Sequence, residues 1–147
     1  MIELYGVTRS YAMGGSEVRA LAGVDLGVGA GEFVAITGPS GSGKSSLLNL
    51  LGCLDRPTSG HYRLDGEAVA TLDDERVSDL RSRKIGFVFQ SFFLLPWLTV
   101  LENVLLPLRY AREADPGASG RARALLERVG LSDRLGHRPN ELSGGQQ

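Results

Sequence analysis

The chain has 147 residues, 42% of them hydrophobic and 22% charged, which is ordinary for a soluble globular protein and enough for one domain with a real core. Its net charge of −1 gives no electrostatic footprint for nucleic acid, and a single cysteine, Cys53, leaves no intramolecular disulfide. The opening Met1-Ile2-Glu3-Leu4-Tyr5 has no basic or apolar leader pattern, so no signal peptide is expected. Residues 92–108 come closest to a membrane span, but Pro96, Glu102, Asn103 and Pro107 interrupt them.

In chain order, residues 2–5 read as a strand, followed by a turn at Gly14-Gly15. Residues 17–28 alternate apolar and polar, which predicts paired strands with a turn at Gly23. Glu32 to Thr37 reads as a short buried strand. Leu47, Leu50, Leu51 and Leu54 then repeat at i, i+3, i+4 and i+7, the stripe of an amphipathic helix.

Between that strand and that helix lies Gly38-Pro39-Ser40-Gly41-Ser42-Gly43-Lys44-Ser45, a match to G-x-x-x-x-G-K-[ST]. Glycines let successive backbone N–H groups turn inward as an anion nest, and the N-terminus of the following helix adds partial positive charge. Lys44 is expected on the β- and γ-phosphates of ATP and the Ser45 hydroxyl on Mg²⁺. These residues, with Ser46 beside them, form the candidate cofactor-binding set. A Gly/Ser-rich turn could match by accident, but strand, glycine loop, helix is the order the mechanism requires.

Asp55 to Gly60 is a breaker cluster, and His61 to Gly66 reads as a strand ending in a turn. A charged helix is predicted over 72–83, with Val77 and Leu80 on its apolar side. Ile85 to Phe89 is a second buried strand, closed by Gln90. Phe92, Phe93, Leu94, Leu95 and Trp97 then crowd together, and Pro96 argues against a strand or helix interior there. Thr99 is positioned to cap a helix with Glu102 completing a capping box. A loop is expected at 111–118 and an amphipathic helix at 119–129, with Ala122, Leu125, Leu126 and Val129 inward and Gly130 as its stop.

Leu142-Ser143-Gly144-Gly145-Gln146 resembles the signature sequence of ABC transporter ATPases, and Gln90 stands between it and the phosphate loop, where that family has its Q-loop. The wording of 38–49, 52–60, 85–96 and 140–147 is similar to the subfamily serving macrolide export and lipoprotein release; Phe93 departs from it, where asparagine is frequent. The resemblance implies an α/β fold. It consists of a P-loop NTPase core with an N-terminal antiparallel β portion over 1–90 and a helical subdomain over 91–147, all within one partial domain. It also implies roles. Tyr11 resembles the aromatic that stacks on adenine, the alternative being an ordinary half-buried tyrosine. Gln90 would reach Mg²⁺ and the attacking water. Ser143, Gly144, Gly145 and Gln146 would meet the nucleotide of a second copy in a head-to-tail homodimer. The segment Phe92–Leu98 would dock a permease, or else pack in the core. The implied place is the cytoplasm, peripheral on the inner face of the cytoplasmic membrane.

The same resemblance asks for a strand ending Asp-Glu and for a switch histidine. Asp73-Asp74-Glu75 follows no buried strand and precedes Gln90, and His61 and His137 also come too early. The general base is therefore absent, and the 147-residue chain is expected to turn over no ATP. The central sheet is expected to be incomplete, with the strands at 33–36 and 85–89 exposing an apolar edge. Three readings remain at this point. The first is the ATP-binding subunit of an exporter, and the second a truncated nucleotide-binding fragment without hydrolytic activity. The third, an ABC ATPase without a transporter, is disfavoured by the exporter wording and the missing basic patch.

Overall fold

The computed structural model describes residues 1–89, 91–110 and 115–147 and forms two compact units, Met1–Ile85 and Gly86–Gln147. The first is built on a four-stranded antiparallel sheet in the order β2-β1-β3-β4, with β1 at Ile2–Met13, β2 at Ser16–Val28, β3 at Ser59–Leu64 and β4 at Glu67–Ala68. Helices α1 (Lys44–Leu51) and α2 (Asp74–Lys84) complete it. Leu4, Val7, Leu21, Leu50, Tyr62, Val69 and Leu80 form the buried centre. Helix α2 begins where Asp73 accepts the Arg76 N–H, and Val77 and Leu80 are its buried residues, as their spacing predicts.

The expected turn at Gly23 is not there. Strand β2 runs unbroken past it: Ala22 pairs with Thr8 and Val24 with Val7, leaving Gly23 as the extra residue of a β-bulge at φ +90°. A left-handed glycine reads the same in sequence whether it reverses a chain or lets a strand bulge and twist. The 32–37 and 85–89 segments also differ from expectation. Neither joins a ladder among the described residues. Without a neighbouring strand their side chains stand open, with Phe33 95%, Val34 45%, Val88 102% and Phe89 50% exposed. Helix α1 stops at Leu51 because Gly52 caps it and Cys53 is left-handed at φ 52°, so Leu54 leaves the predicted stripe. Cys53 is buried, its thiol 3.7 Å from the Tyr62 hydroxyl, which donates to the Leu51 carbonyl.

Asp65-Gly66 turns β3 into β4 with both residues at positive φ, the Asp-Gly pattern of a tight hairpin. The Asp65 carboxylate accepts from Lys84 Nζ at 2.8 Å and from the Met1 ammonium at 2.6 Å. These hydrogen bonds, and the charges behind them, hold its pKa down at about 2 against an ordinary 3.8. A depressed carboxyl contributes stability above its unfolded pKa and loses it as pH falls through the folded one. Asp65→Asn, which tolerates the left-handed turn, is therefore expected to lower the melting temperature at neutral pH. The gap to the parent should close between about pH 4 and pH 2. Thermal melts across that range check it, and a gap independent of pH would show that the charge is not responsible.

The second unit pairs α3 (Val100–Leu105) with α4 (Ala118–Arg128). The Thr99–Glu102 capping box is present in both directions. Ala122 and Leu126, one turn apart, are buried, but Leu125 and Val129 are 55% and 68% exposed. The sequence stripe is wider than the surface packed on it. Of the predicted loop at 111–118, residues 111–114 lie outside the described residues, and α4 already begins at Ala118.

Candidate functional site

The glycine loop leads into α1, whose N-cap is Gly43 in the left-handed region at φ 88° with no side-chain cap. The Leu47 N–H reaches back to the Gly43 carbonyl at 2.8 Å. The amides of Lys44, Ser45 and Ser46, in the first turn, have no carbonyl within the helix to donate to. Lys44 folds over the loop and donates from Nζ to the Gly38 carbonyl at 2.9 Å and the Pro39 carbonyl at 2.6 Å. Among the described residues it has no carboxylate partner. Its cation and the helix N-terminus thus leave positive charge uncompensated on an open loop, where a Cβ added at Gly41 would meet nothing within 4 Å. That donor set suits a polyphosphate, and exposed Ser45 adds a hydroxyl, a hard oxygen of the kind that Mg²⁺ takes.

The loop is seated against β2. A Cβ on Gly43 would lie 2.4 Å from the Ala20 carbonyl oxygen. Ala20 is itself the extra residue of a bulge, since Arg9 pairs with Leu21 and Ser10 with Arg19. Tyr11 lies on β1 opposite Val18, two residues from Ala20. Two residues of strand rise about 7 Å, and an antiparallel pair is about 5 Å across. The hairpin therefore carries the ring and the phosphate loop on neighbouring parts of one unit. The Tyr11 hydroxyl donates to Asp55 Oδ2 at 2.7 Å. Arg9 grips the same carboxylate with two of its three guanidinium nitrogens, Nε to Oδ2 at 2.8 Å and Nη2 to Oδ1 at 2.7 Å. Its guanidinium also lies 4.5 Å over the Tyr11 ring. Partial burial pushes the Asp55 carboxyl up, but the hydrogen bonds from Tyr11 and the Arg56 amide and the charge of Arg9 outweigh it, and the pKa lies below the usual range. Arg9 and Asp55 carry no local sequence signal; they are brought together across 46 positions.

In the other unit, Ser143, Gly144, Gly145 and Gln146 form a single turn rather than a helix, and Gly144, Gly145 and Gln146 are exposed. Ser143 starts it: its carbonyl accepts from the Gln146 and Gln147 amides, and its own amide donates to Gln146 Oε1. Gln90 lies outside the described residues. The 92–98 segment is neither strand nor helix. Asn103 on α3 pins it, donating to the Leu95, Leu98 and Thr99 carbonyls and accepting the Leu95 amide. In the sequence Asn103 reads only as an interruption of the apolar run at 92–108, with no sign of this bracing role. Phe92, Phe93 and Trp97 are 54%, 73% and 65% exposed, whereas Leu95 and Leu98 are half-buried. Phe93 meets Phe89 edge-on at 5.1 Å.

The family described as ABC transporter matches residues 21–147. The chain belongs to the ABC transporter family. It is 56% identical to an ABC transporter ATP-binding protein of Thermotoga maritima, covering all of this chain and 63% of that one. It is 50% identical to the ABC transporter ATP-binding protein YknY of Bacillus subtilis, over all of this chain and 64% of the relative. Against the macrolide export ATP-binding/permease protein MacB of Syntrophobacter fumaroxidans it is 52% identical over all of this chain but 21% of that protein. The dimeric structure of the ATP-binding cassette MJ0796 bound to ADP and Pi superposes with a TM-score of 0.87 at 47% identity, covering 99% of this chain and 65% of that one. The fold is that of an ABC cassette, and the chain spans less than two thirds of the length of these relatives. None of its described helices is long and apolar enough to cross a membrane.

Proposed function

We propose that this chain is the ATP-binding part of an ABC exporter and takes up MgATP on its Met1–Ile85 unit. One observation carries the reading: Lys44 and the first turn of α1 present positive charge with no carboxylate beside it among the described residues, on a loop whose Gly41 leaves open space. Gly38, Pro39, Ser40, Gly41, Ser42 and Gly43 supply backbone, Lys44 the cation, and Ser45 with Ser46 the hydroxyls. Gln90 is assigned to Mg²⁺ and water, and Tyr11 to the adenine ring. Bound MgATP supplies the phosphoanhydride whose hydrolysis drives transport; these residues bind and orient it. Titration with MgATP tests this directly, and the absence of saturable binding would remove the reading.

The signature turn is proposed to meet the nucleotide of a second copy in a head-to-tail dimer. MJ0796 is dimeric in the structures it resembles, and an exposed turn of amides and a hydroxyl suits an anion brought by a partner. The permease of such an exporter is assigned to Phe92, Phe93 and Trp97. An exposed aromatic patch on a protein surface marks an interface, and Asn103 holds its backbone in shape. This reading puts the chain at the inner face of the cytoplasmic membrane. In the full-length protein, Trp97→Ala is expected to weaken permease capture by about tenfold or more, the effect of losing an aromatic anchor, with MgATP affinity unchanged. Pull-down with the permease alongside ATP titration measures both. Leu94 is unsuited to this test, because it lines an apolar cavity with Val100, Leu126 and Leu131. Undiminished capture by Trp97→Ala would place the docking surface elsewhere.

A further inference from the structure

We propose that Asp55 and Arg9 are positioning residues for a purine nucleotide, acting through Tyr11 to fix its ring as a base platform beside the phosphate loop. The inference rests on the assignment of Tyr11 to the base made above. A tyrosine side chain half out of a strand has freedom about both of its torsions, and each freedom must be given up when a base stacks on it. Here that freedom is already removed. The hydroxyl is held by Asp55 at 2.7 Å. The ring face is covered by the Arg9 guanidinium at 4.5 Å. The same carboxylate fixes Arg9 at two points, at 2.8 and 2.7 Å.

The three side chains therefore form a closed loop of contacts in which none can turn without breaking two others. The cation occupies one face of the ring, so a base can stack only on the opposite one, which makes the platform single-sided. A cation against one face also draws π-electron density from the ring and favours an electron-rich purine on the other. Asp55 is held by its place in the chain as well. It follows the turn that ends α1, where its amide donates to the Asn49 carbonyl at 3.3 Å. The residue that orients the ring is thus carried by the segment that follows the phosphate-binding helix. Thr58 continues the clamp, its amide on the Thr8 carbonyl and its hydroxyl on the Ser10 amide, so β1 is tied to that segment on both sides of Arg9.

The measurement is the ratio of MgATP to magnesium tripolyphosphate affinity, by calorimetry on the full-length protein. Tripolyphosphate uses the phosphate loop but offers no base. Tyr11→Ala is expected to lower ATP affinity about 5- to 100-fold and leave tripolyphosphate unchanged, the range of base–aromatic stacking. Asp55→Ala and Tyr11→Phe are each expected to lower the same ratio about 3- to 10-fold, the effect of one lost hydrogen bond of orientation. In the Tyr11→Ala background, Asp55→Ala should cost nothing further in ATP affinity, because its effect passes through the ring. If Tyr11→Ala leaves the ratio unchanged, the base assignment itself is wrong. If Tyr11→Ala lowers the ratio but Asp55→Ala and Tyr11→Phe do not, the base assignment stands and the positioning proposal fails. Equal loss of ATP and tripolyphosphate in Asp55→Ala would show that the carboxylate only supports the fold and would also overturn the proposal. Tyr11→Phe keeps the ring and both strands, so it decides the matter if Asp55→Ala folds poorly.

Discussion

Lys44→Ala is expected to abolish stabilisation by MgATP while leaving the melting temperature of the protein without nucleotide almost unchanged. In the absence of ligand, Lys44 donates only to the Gly38 and Pro39 carbonyls, both on exposed residues. Those carbonyls can turn to water when the ammonium goes, so the folded state loses little. The bound state loses the one lysine near the phosphates; the other, Lys84, is engaged with Asp65. A ligand at about a hundred times its Kd stabilises by about 2.7 kcal/mol, which for a chain of this size is roughly an 8–10 °C shift. That whole shift should vanish in the variant. Thermal melts of parent and variant, with and without MgATP, check it, and equal shifts in both would show that nucleotide binds elsewhere.

What the sequence disclosed tracks how local each signal was. The glycine loop, the start of α1, the Thr99–Glu102 capping box and the turn at Asp65-Gly66 are each written within a few consecutive residues, and each is where pattern placed it. Gly23 misled because a bulge and a turn both use a glycine at positive φ, and the sequence does not separate them. Residues 32–37 and 85–89 have the composition of strands, yet a strand is a relation to a neighbour, which composition does not contain. The family resemblance directed attention to Tyr11 but not to what holds it. Arg9 and Asp55 look like ordinary surface charges until the antiparallel sheet brings positions 46 apart to within 2.8 Å. The bracing role of Asn103 is illegible for the opposite reason: its partners are close in sequence, but polar side chains inside a short helix usually face solvent.

The seat of the phosphate loop against β2 leads to a large effect at Gly43. Gly43→Ala is expected to destabilise the fold by roughly 2–6 kcal/mol, from two costs that add. The residue sits at φ 88°, where an L side chain carries a backbone strain of about 1–3 kcal/mol. The new methyl would also lie 2.4 Å from the Ala20 carbonyl oxygen and 3.2 Å from a Leu21 methyl. Overpacking of that kind costs about 1–3 kcal/mol. The leucine methyl can rotate aside, but the carbonyl belongs to a bulge whose two flanking residues, Arg19 and Leu21, are both paired with β1. Relief must come from the helix, by shifting α1 off the sheet, and α1 carries Leu47 and Leu50 in the core. Gly41→Ala is the control. It has nearly the same left-handed geometry, φ 79°, but nothing within 4 Å of the added carbon. It should show the backbone strain alone, the same term of about 1–3 kcal/mol. Urea unfolding of the two variants separates the terms, since their difference is the contact with Ala20. Similar losses of stability would mean that the loop yields without moving the helix and that the bulge at Ala20 does not fix its position. A much larger loss at Gly43, with MgATP affinity falling along with it, would show that the strand bulge sets where the first turn of α1 points its amides.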